Sequence, residues 1–496
     1  MSGYPDTSNV IGGRPGRGTG ESVTVVDPAC GENIWTYSAD EPDTVAAALD
    51  AAKTAYPEWS GATPAQRSTA LHALRRELES CAEDLARTET EQCGKPIRLS
   101  REFDVPGSID NVGFFAGAAR NLEGKASAEY SGDHTSTIRR EAIGVVGSIA
   151  PWNYPLQMAV WKILPAIAAG NTIVLKPAEN TPLTTLMFAK AADAAGIPDG
   201  VINIVNGPGP LTGEALISDP RIAMTSFTGS TAVGRRIAAI AAANGTRLHL
   251  ELGGKAPFVV FDDADLEAAI QGAVAGCLIN AGQDCTAATR AYVHRSRYKE
   301  FVDGVATVMT TVRIGNPLDP ATDLGAMSSF RQRDSVLAKV QQATAEGARA
   351  VVGGTAPGGD LAAGAFFEPT LIINADQHSA IVQNEVFGPV LTVLPFDNDD
   401  EAILLANDVP YGLAASAWTR DVYRAQRAAR EIHAGTVWIN DHIPIVSEMP
   451  HGGTKSSGYG KDMSSYSFEE YTQIKHVMAD ITGVVMKNWH RTIFTG

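Results

Sequence analysis

Two short segments of the chain carry side chains that could perform covalent chemistry. Cys285 comes three residues after Gly282 in NAGQDCTAATR, and Glu251 ends an apolar stretch before two glycines in LELGGKAP. A cysteine thiolate is a strong nucleophile when its surroundings activate it, and a buried carboxylate with a raised pKa suits a general base. A single cysteine is, however, more often an inert core residue. Each of these residues alone therefore leaves the function open.

Two further segments have features of a cofactor site. SFTGSTAVGRRIA, at 226–238, joins a strand end, a Gly-Ser turn and a helix start, where free N–H groups face an anion. It lacks the three-glycine GxGxxG fingerprint, and such turns are more often structural. LKPAE places Lys176 and Glu179 at a strand end, where they could reach ribose hydroxyls or form an ordinary surface pair. A carboxylate at Glu179 would repel a ribose phosphate, so this site predicts NAD rather than NADP.

Composition excludes several classes of protein. The chain has 496 residues, 44% of them hydrophobic, which is enough for two or three domains with large cores. Its formal net charge of −16 disfavours nucleic acid as a partner. Five irregularly spaced cysteines and histidines without HExxH spacing indicate neither disulfides nor a metal site. The N-terminus lacks signal-peptide features and the most apolar stretch, 158–175, is interrupted by polar residues, so a cytoplasmic protein without a membrane span is expected.

The pattern of elements shows what must position these side chains. Residues 1–20 are rich in Gly, Pro, Ser and Thr and predict a loose arm, residues 42–120 have helical periodicity, and residues 130–150 predict a projecting hairpin. Strand-like segments at 145–149, 172–175, 201–205 and 224–227 alternate with helices, which indicates a parallel doubly wound sheet. A second α/β region spans 256–445, and Asp263 is expected to cap its first helix. An extended tail at 471–478 is expected to pair with a sheet edge.

Six segments, taken together in order and spacing, resemble the aldehyde dehydrogenase superfamily from about Val23 to Met478. They are PWNYP at 151–155, LKPAE at 175–179, FTGSTAVG at 227–234, LELGGK at 250–255, GQDCTA at 282–287 and NEVFGPV at 384–390. The resemblance implies an α/β fold with a Rossmann-like NAD-binding domain at 21–128 and 150–255 and a catalytic domain at 256–467. It also implies a small β oligomerisation element at 129–149 and 468–496 that builds homodimers or homotetramers.

The resemblance implies roles for the matched residues. Cys285 is the nucleophile, Glu251 is the base, and the Asn153 amide is an oxyanion donor beside the Cys285 N–H. Lys162 supports the catalytic groups. The positions that match cofactor contacts are Ile149, Pro151, Trp152, Lys176, Glu179, Gly229, Ser230, Val233, Leu252, Glu385 and Phe387. In this chemistry a thiolate attacks an aldehyde, hydride passes to the nicotinamide of NAD, and water activated by Glu251 cleaves the thioester.

Two segments are similar to the aminoaldehyde branch of the superfamily, above all to 4-aminobutyraldehyde dehydrogenases of polyamine breakdown. They are VSEMPHGGTKSSGYGKDMS at 446–464 and the GQDCTAATR loop at 282–290. A cationic substrate needs a carboxylate or an aromatic face, and Asp110, Tyr154 and Trp161 lie at positions that match the branch. Packing in the cleft explains the two aromatic residues equally well. Ile279 replaces an aromatic residue usual in the branch, which removes a possible cation–π wall.

Several alternatives stay open or are disfavoured at this point. Betaine aldehyde, a semialdehyde or an aliphatic aldehyde could replace 4-aminobutyraldehyde as substrate. An acylating dehydrogenase that passes the acyl group to coenzyme A does not need a water-activating Glu251. A cysteine hydrolase without redox chemistry would leave LKPAE and FTGSTAVG unexplained. The segment 479–496 has no role that its sequence reveals.

Overall fold

The strands form two large sheets, one small three-stranded sheet and two two-stranded sheets. A computed structural model describes residues 7–124 and 127–495. The strands are β1 (Asn9–Ile11), β2 (Arg14–Gly16), β3 (Ser22–Val26), β4 (Asn33–Ser38), β5 (Ser127–Ser131), β6 (His134–Ala142), β7 (Val145–Ile149), β8 (Thr172–Lys176), β9 (Ile202–Ile204), β10 (Ile222–Thr228), β11 (Arg247–Glu251), β12 (Ala256–Val260), β13 (Ala288–His294), β14 (Arg349–Val352), β15 (Thr370–Ile373), β16 (Val390–Phe396), β17 (Tyr411–Gly412), β18 (Ala414–Trp418), β19 (Thr436–Ile439), β20 (Thr454–Lys455), β21 (Gly458–Tyr459) and β22 (Thr472–Asp480). The two-stranded sheets are β3-β4 and β17-β20.

The helices are α1 (Pro42–Gly61), α2 (Pro64–Ser80), α3 (Ala82–Cys93), α4 (Ile97–Leu99), α5 (Val105–Ala118), α6 (Pro155–Ala168), α7 (Leu183–Ala194), α8 (Glu214–Ile217), α9 (Thr231–Asn244), α10 (Leu266–Leu278), α11 (Arg295–Met309), α12 (Phe330–Ala345), α13 (Ala380–Gln383), α14 (Asp399–Asn407), α15 (Val422–Glu431), α16 (Ser464–Glu470) and α17 (His490–Ile493). Some helices contact strands of the two large sheets, as α1, α6, α10 and α11 do, whereas α2 and α5 pack mainly on other helices. Every residue of α6 is buried, as expected for a helix that is apolar on nearly all sides. Within the described residues, no helix is long and apolar enough to span a membrane.

The first large sheet has the strand order β2-β1-β9-β8-β7-β10-β11-β21. Its five central strands, β9 to β11 in this order, are parallel, which confirms the predicted doubly wound sheet. From β7 the chain adds β8 and β9 on one side and then β10 and β11 on the other. The direction of strand addition therefore reverses between β7 and β10, and a ligand crevice forms beyond the carboxyl ends of strands at such a point.

The second large sheet has the strand order β14-β15-β16-β13-β12-β18-β19. All of its pairings are parallel except that of β14 with β15, which confirms a second α/β region after residue 256. A separate apolar core lies around it and includes Phe258, Tyr292 and Phe301. Each of the two regions therefore folds around its own core, and a cleft can form between them.

The small sheet has the order β22-β6-β5 and is antiparallel throughout. It confirms both the predicted hairpin and the pairing of the C-terminal tail, whose register runs from Thr472 opposite Ala142 to Asp480 opposite His134. β7 is not part of it. The predicted oligomerisation element at 129–149 therefore extends too far, because residues 145–149 form a central strand of the first large sheet.

Three other sequence-based expectations are wrong. The predicted loose arm at 1–20 contains the hairpin β1–β2, which pairs with β9 because that sheet edge is open; residues 1–6 lie outside the described residues. The predicted catalytic domain at 256–467 includes β21, but this strand pairs with β11 of the first sheet. Asp263 does not cap α10: the cap is Asp265, whose side chain accepts from the Ala268 N–H, while Asp263 accepts from Thr419.

Candidate active site

A cavity of about 530 Å³ lies between the two α/β regions, at the carboxyl ends of β7 and β10. It brings together residues from both regions, including Asn153, Glu251, Cys285 and Glu385. The predicted nucleophile, base and oxyanion donor therefore share one cavity, although they are far apart in the sequence.

Cys285 lies at the end of a tight loop that leads into β13. Gly282 adopts a left-handed backbone with φ of 70°, and a Cβ atom there would come within 2.1 Å of the Gly388 carbonyl oxygen. A side chain at Gly254 would likewise collide with the Cys285 carbonyl oxygen at 2.0 Å. The glycines of GQDC and LELGGK are therefore needed because backbone segments approach each other closely around the nucleophile.

The surroundings of Cys285 favour its protonated thiol over the thiolate. Burial raises the pKa of Cys285 well above its usual range, and the neighbouring carboxylates of Asp284 and Glu251 raise it further. The Cys285 Sγ lies 3.9 Å from Nε2 of His451. Attack on an electrophile therefore requires a group that removes the thiol proton.

The Asn153 side chain links the start of α6 to the nucleophile loop. Its Nδ2 donates to the Gln283 backbone carbonyl oxygen at 3.1 Å, and the backbone carbonyl oxygen of Asn153 accepts from Nδ2 of Asn280 at 2.8 Å. The amide is buried and lines the cavity. Because the amide has a second N–H, it can donate to an oxyanion formed at Cys285 while it keeps the bond to Gln283.

Glu251 is the last residue of β11 and is buried. Its Oε1 has no hydrogen-bond partner in the part of the chain that the structure describes. Burial, and secondarily the Asp462 carboxylate, raise the pKa of Glu251 well above its usual range, while Lys162 and Lys461 oppose this. A carboxyl group with a raised pKa and a free oxygen can exchange a proton with a water molecule in the cavity.

Lys162 does not line the cavity. Its Nζ lies 2.7 Å from Oδ2 of Asp462, and both side chains are fully buried. The ion pair is formed between α6 and the segment before α16, close enough to Glu251 to affect its pKa. The resemblance assigned Lys162 to the catalytic set, whereas the structure places its side chain outside the cavity lining, in the ion pair with Asp462.

All eleven predicted cofactor residues line the same cavity. Gly229 follows β10, and the Ser230 hydroxyl caps α9 by accepting from the Val233 N–H. Phe387 has a left-handed backbone with φ of 60°, and its ring meets the Trp152 ring edge-on, with centroids 5.3 Å apart. The remaining members of the set are Ile149, Pro151, Lys176, Glu179, Leu252 and Glu385.

Two side chains of the cofactor set are fixed by hydrogen bonds. The buried Lys176 Nζ donates to the carbonyl oxygens of Pro177 and Gly207, at 2.7 Å and 3.0 Å. Burial lowers the pKa of Lys176, and the Glu179 carboxylate, 3.8 Å away, opposes this. Glu385 accepts from the Gly254 N–H at 2.9 Å. These hydrogen bonds fix the side chains of Lys176 and Glu385 where they line the cavity.

The predicted substrate residues separate into two groups. Tyr154 and Trp161 line the cavity, but Asp110 is exposed and does not. Asp110 lies on α5 next to Asn111, whose Oδ1 accepts from Nε1 of Trp161 at 2.6 Å. The side chains of successive helix residues point about 100° apart. Because Asn111 faces Trp161, the side chain of Asp110 points away from the cavity. Asp110 instead accepts a hydrogen bond from the Ser447 hydroxyl at 2.5 Å.

Sequence reasoning missed two residues that line the cavity beside Cys285, Asp284 and His451. The Asp284 Oδ2 accepts from the Tyr154 hydroxyl at 2.8 Å, and its Oδ1 accepts from the backbone and hydroxyl of Thr286. The sequence did contain a signal for Asp284, because its carboxylate comes directly before the predicted nucleophile Cys285. His451 is 166 residues from Cys285, and no spacing pattern connects the two.

Comparison with known proteins agrees with this geometry. The model of the aldehyde dehydrogenase family matches residues 16–477. The chain is 40% identical to 2-aminomuconic semialdehyde dehydrogenase of Mus musculus, over 91% of this chain and 93% of that protein, and 39% identical to betaine aldehyde dehydrogenase of Brucella anthropi, over 97% and 99%.

A solved structure has the same fold. Betaine aldehyde dehydrogenase from Staphylococcus aureus in complex with NAD⁺ superimposes with a TM-score of 0.95 at 37% identity, over 98% of this chain and 97% of that chain. The shared site segments, the fold and the family match agree over almost the whole length. This chain belongs to the aldehyde dehydrogenase family.

Proposed function

We propose that the protein oxidises a short aldehyde that carries a protonated amine, such as 4-aminobutyraldehyde, to the carboxylic acid with NAD as the oxidant. The observation that carries this proposal is the Asp284 carboxylate, which lines the cavity directly beside the nucleophile Cys285. The catalytic part of the proposal rests on Cys285, Glu251 and Asn153, which line one cavity. The cofactor part rests on the eleven predicted cofactor residues, which line the same cavity.

The residues of the cofactor wall fit a dinucleotide. A Cβ atom at Gly229 would lie 2.6 Å from the Phe227 ring, so the turn before α9 carries no side chain at this position. The first N–H groups of a helix have no partner within the helix, and at the start of α9 the Ser230 hydroxyl accepts only that of Val233. Such a helix start suits a pyrophosphate. Val233 is 46% exposed although apolar, as a wall for a flat ring would be. The Glu179 carboxylate favours a free ribose hydroxyl over a ribose phosphate.

The side chains define a sequence of steps. The Cys285 sulfur attacks the aldehyde carbon, and the Asn153 amide and the Cys285 N–H donate to the oxyanion that forms. NAD, when bound, supplies the acceptor for the hydride that leaves this carbon. The product is a thioester on Cys285. Glu251, once ionised, takes a proton from the water that cleaves the thioester, and the acid is released.

The aldehyde side of the cavity favours an ammonium group with N–H donors. Asp284 Oδ1 already accepts two hydrogen bonds from Thr286, but Oδ2 accepts only that of Tyr154 among the described residues. A carboxylate oxygen has two lone-pair sites, so Oδ2 can accept one more donor. Four cationic side chains line the cavity, those of Lys176, Arg236, Arg331 and Lys339, and among the described residues none of them forms an ion pair with Asp284. A primary ammonium group therefore matches Asp284.

Betaine aldehyde and 2-aminomuconic semialdehyde, named for two relatives, fit this side of the cavity less well. A trimethylammonium group has no N–H donor for Asp284 and depends on aromatic faces. One face of the Tyr154 ring is already occupied by Lys95, whose Nζ lies 4.3 Å from the ring centroid. Ile279 is only half-buried and does not line the cavity. A semialdehyde carries a carboxylate, which Asp284 would repel.

The experiment compares kcat/KM for 4-aminobutyraldehyde, betaine aldehyde and pentanal, with NAD and then NADP. Pentanal matches 4-aminobutyraldehyde in length but has no charge. A hydrogen bond between charged groups contributes about 1.5–3 kcal/mol, so Asp284→Asn should lower kcat/KM for 4-aminobutyraldehyde by about 10- to 100-fold. The value for pentanal should not fall. Asp110→Asn is the matched control, because it removes an exposed carboxylate outside the cavity.

The outcomes separate the two parts of the proposal. Loss of the aminoaldehyde preference in Asp284→Asn but not in Asp110→Asn supports both. An unchanged preference in Asp284→Asn, or a better turnover of pentanal by the wild type, discards the aminoaldehyde assignment and keeps the dehydrogenase chemistry. Absence of NAD reduction with every aldehyde contradicts the whole proposal.

We also propose that the small sheet joins copies of the chain into a homo-oligomer. The strand β22 lies at an edge of that sheet, and its apolar residues Ile474, Val477 and Met478 are exposed. Exposed apolar edges of this kind are surfaces for association. Sedimentation should give a dimer or tetramer for the wild type and a smaller species for Ile474→Glu. A monomeric wild type would contradict this assignment.

A further inference from the structure

A cluster of three fully buried charged side chains lies behind the part of the cavity wall that Tyr154 forms. Lys95 is paired with the carboxylates of Asp104 and Glu89, and its Nζ lies 3.4 Å from Oε1 of Glu89. Burial lowers the pKa of Lys95, but the two carboxylates raise it more, so that this pKa lies above its usual range. Lys95 therefore keeps its positive charge inside the protein.

The backbone on both sides of Lys95 brings these charges together. Gly94 ends α3 with a left-handed backbone, with φ of 79°. Residues 100–104 form a π-helical turn between α4 and α5. This turn places Phe103 in the cavity lining and the buried Asp104 against Lys95. Such turns are rare and are found frequently at functional sites.

Lys95 also contacts the ring of Tyr154. Its Nζ lies 4.3 Å from the ring centroid, which is the geometry of a cation–π interaction. Tyr154 comes directly before α6, and Glu89 accepts from the Leu156 N–H in the first turn of this helix at 3.4 Å. The charge cluster therefore binds the start of α6 through a side chain and through the backbone.

The Tyr154 hydroxyl extends this contact into the cavity. It donates to Asp284 Oδ2 at 2.8 Å, while Asp284 Oδ1 accepts from the backbone and the hydroxyl of Thr286. Burial raises the pKa of Tyr154 well above its usual range, and the Asp284 carboxylate raises it further, so the hydroxyl keeps its proton. Three hydrogen bonds thus fix the plane of the Asp284 carboxylate and leave one lone pair of Oδ2 for a further donor.

We propose that Lys95 is a positioning residue for the choice of substrate: it fixes the Tyr154 ring, whose hydroxyl holds Asp284 in the orientation that receives an ammonium group. This inference rests on the proposed function, because it concerns the same carboxylate. Lys95 does not line the cavity, so it acts on the substrate only through other side chains. A purely structural Lys95 would affect charged and uncharged aldehydes alike.

The test is the ratio of kcat/KM for 4-aminobutyraldehyde to kcat/KM for pentanal. Both aldehydes react at Cys285, so a loss of folded protein or of chemistry cancels in this ratio. Lys95→Met/Asp104→Asn removes one charge of each sign from the cluster. Its ratio should fall by about tenfold or more, mainly through a higher KM for the aminoaldehyde, because a charge-assisted hydrogen bond weakens steeply when it is misaligned. Lys95→Arg should stay within about threefold of the wild type, because a guanidinium group also binds an aromatic face.

A second set of variants tests whether Lys95 acts through the tyrosine. Tyr154→Phe keeps the ring beside Lys95 but removes the hydroxyl that binds Asp284, and it should lower the ratio by a similar factor. Tyr154→Phe added to Lys95→Met/Asp104→Asn should then lower the ratio by less than about threefold more, because both changes break one path. Losses that multiply independently would overturn the proposal.

Arg424→Met is the matched control. Arg424 also lies over an aromatic ring, that of Phe261, with its guanidinium carbon 5.3 Å from the centroid, and neither residue lines the cavity. It is paired with the carboxylates of Asp262, Asp263 and Asp399. The ratio of the two aldehydes should therefore not change in this variant, even where its Tm falls.

The two proposals fail in different ways. A wild type that does not prefer 4-aminobutyraldehyde rejects the proposed function and this inference with it. A wild type with the preference, whose ratio is unchanged in Lys95→Met/Asp104→Asn or in Tyr154→Phe, keeps the proposed function and overturns the role of Lys95. If the Lys95 variants do not fold, Tyr154→Phe decides: a lowered ratio supports the proposal, and an unchanged ratio contradicts it.

Discussion

The buried ion pair of Lys162 and Asp462 should be strongly coupled energetically. Their N–O distance is 2.7 Å and both side chains are fully buried, so the attraction is about 6 kcal/mol at an effective dielectric constant of about 20. Desolvation of both ions offsets most of this gain. Removal of one partner, however, leaves a buried charge without compensation. Lys162→Met should therefore lower the free energy of unfolding by about 3–5 kcal/mol.

A double-mutant cycle tests this reasoning. Lys162→Met, Asp462→Asn and the double variant are unfolded in urea and followed by circular dichroism. The double variant leaves no unpaired charge, so it should recover much of the loss, with a coupling energy of at least about 2 kcal/mol. The exposed pair of Arg75 and Glu79, 2.9 Å apart, is the control, with a coupling below about 1 kcal/mol. Equal coupling in the two pairs would refute the argument.

The same variants test the link between this pair and the base. The Asp462 carboxylate raises the pKa of Glu251, so Asp462→Asn should lower that pKa. Thioester hydrolysis requires ionised Glu251, and its pH dependence should therefore move to lower pH. An unmoved pH profile would show that Asp462 does not act on the base.

Three further predictions concern the oxyanion donor, the cofactor and acid stability. Asn153→Ala should lower the NADH burst rate by about 10²–10³-fold with little change in KM, and an unchanged rate would exclude the donor role. Glu179→Ala should improve use of NADP relative to NAD by about tenfold or more in kcat/KM; an unaltered ratio would mean that Glu179 does not read the ribose. Burial lowers the pKa of His442 and of His451 to about 4 from an ordinary value of 6.5. Their contribution to stability is therefore full above pH 6.5 and is lost as the pH falls towards 4, by about 3 kcal/mol for each histidine. His442→Gln should show a smaller fall of Tm between pH 6.5 and 4.5 than the wild type, and an equal fall would contradict this.

The parts of the fold that the sequence predicted are those with strong local signals. The alternation of apolar strands such as β8 with helices gave the parallel sheet, because strands buried on both faces read as continuous apolar runs. The sequence also predicted the hairpin β5–β6 and the pairing of β22 with a sheet edge. The strands of the arm were not predicted, because the hairpin β1–β2 joins the first sheet through the pairing of β1 with β9, a tertiary contact that no local pattern encodes.

In the site, too, the residues with local sequence signals were predicted and those that depend on tertiary contacts were not. The motifs of adjacent residues predicted eleven cofactor residues and three reacting groups, and all of these residues line one cavity. Asp110 was wrongly placed at the pocket because its helical phase, fixed by the contact of Asn111 with Trp161, cannot be read from a motif. His451 was missed because only the packing of two distant segments brings it to Cys285.

The most direct test of the central claim, that Cys285 forms a thioester which Glu251 helps to hydrolyse, is rapid mixing of Glu251→Gln with NAD and aldehyde. We expect a burst of about one NADH for each Cys285, slow turnover afterwards, and an acyl adduct on Cys285 in the mass spectrum of the quenched protein. Cys285→Ala should give no burst and should still bind NAD. Steady-state turnover of Glu251→Gln at the wild-type rate, or a burst from Cys285→Ala, would contradict the account.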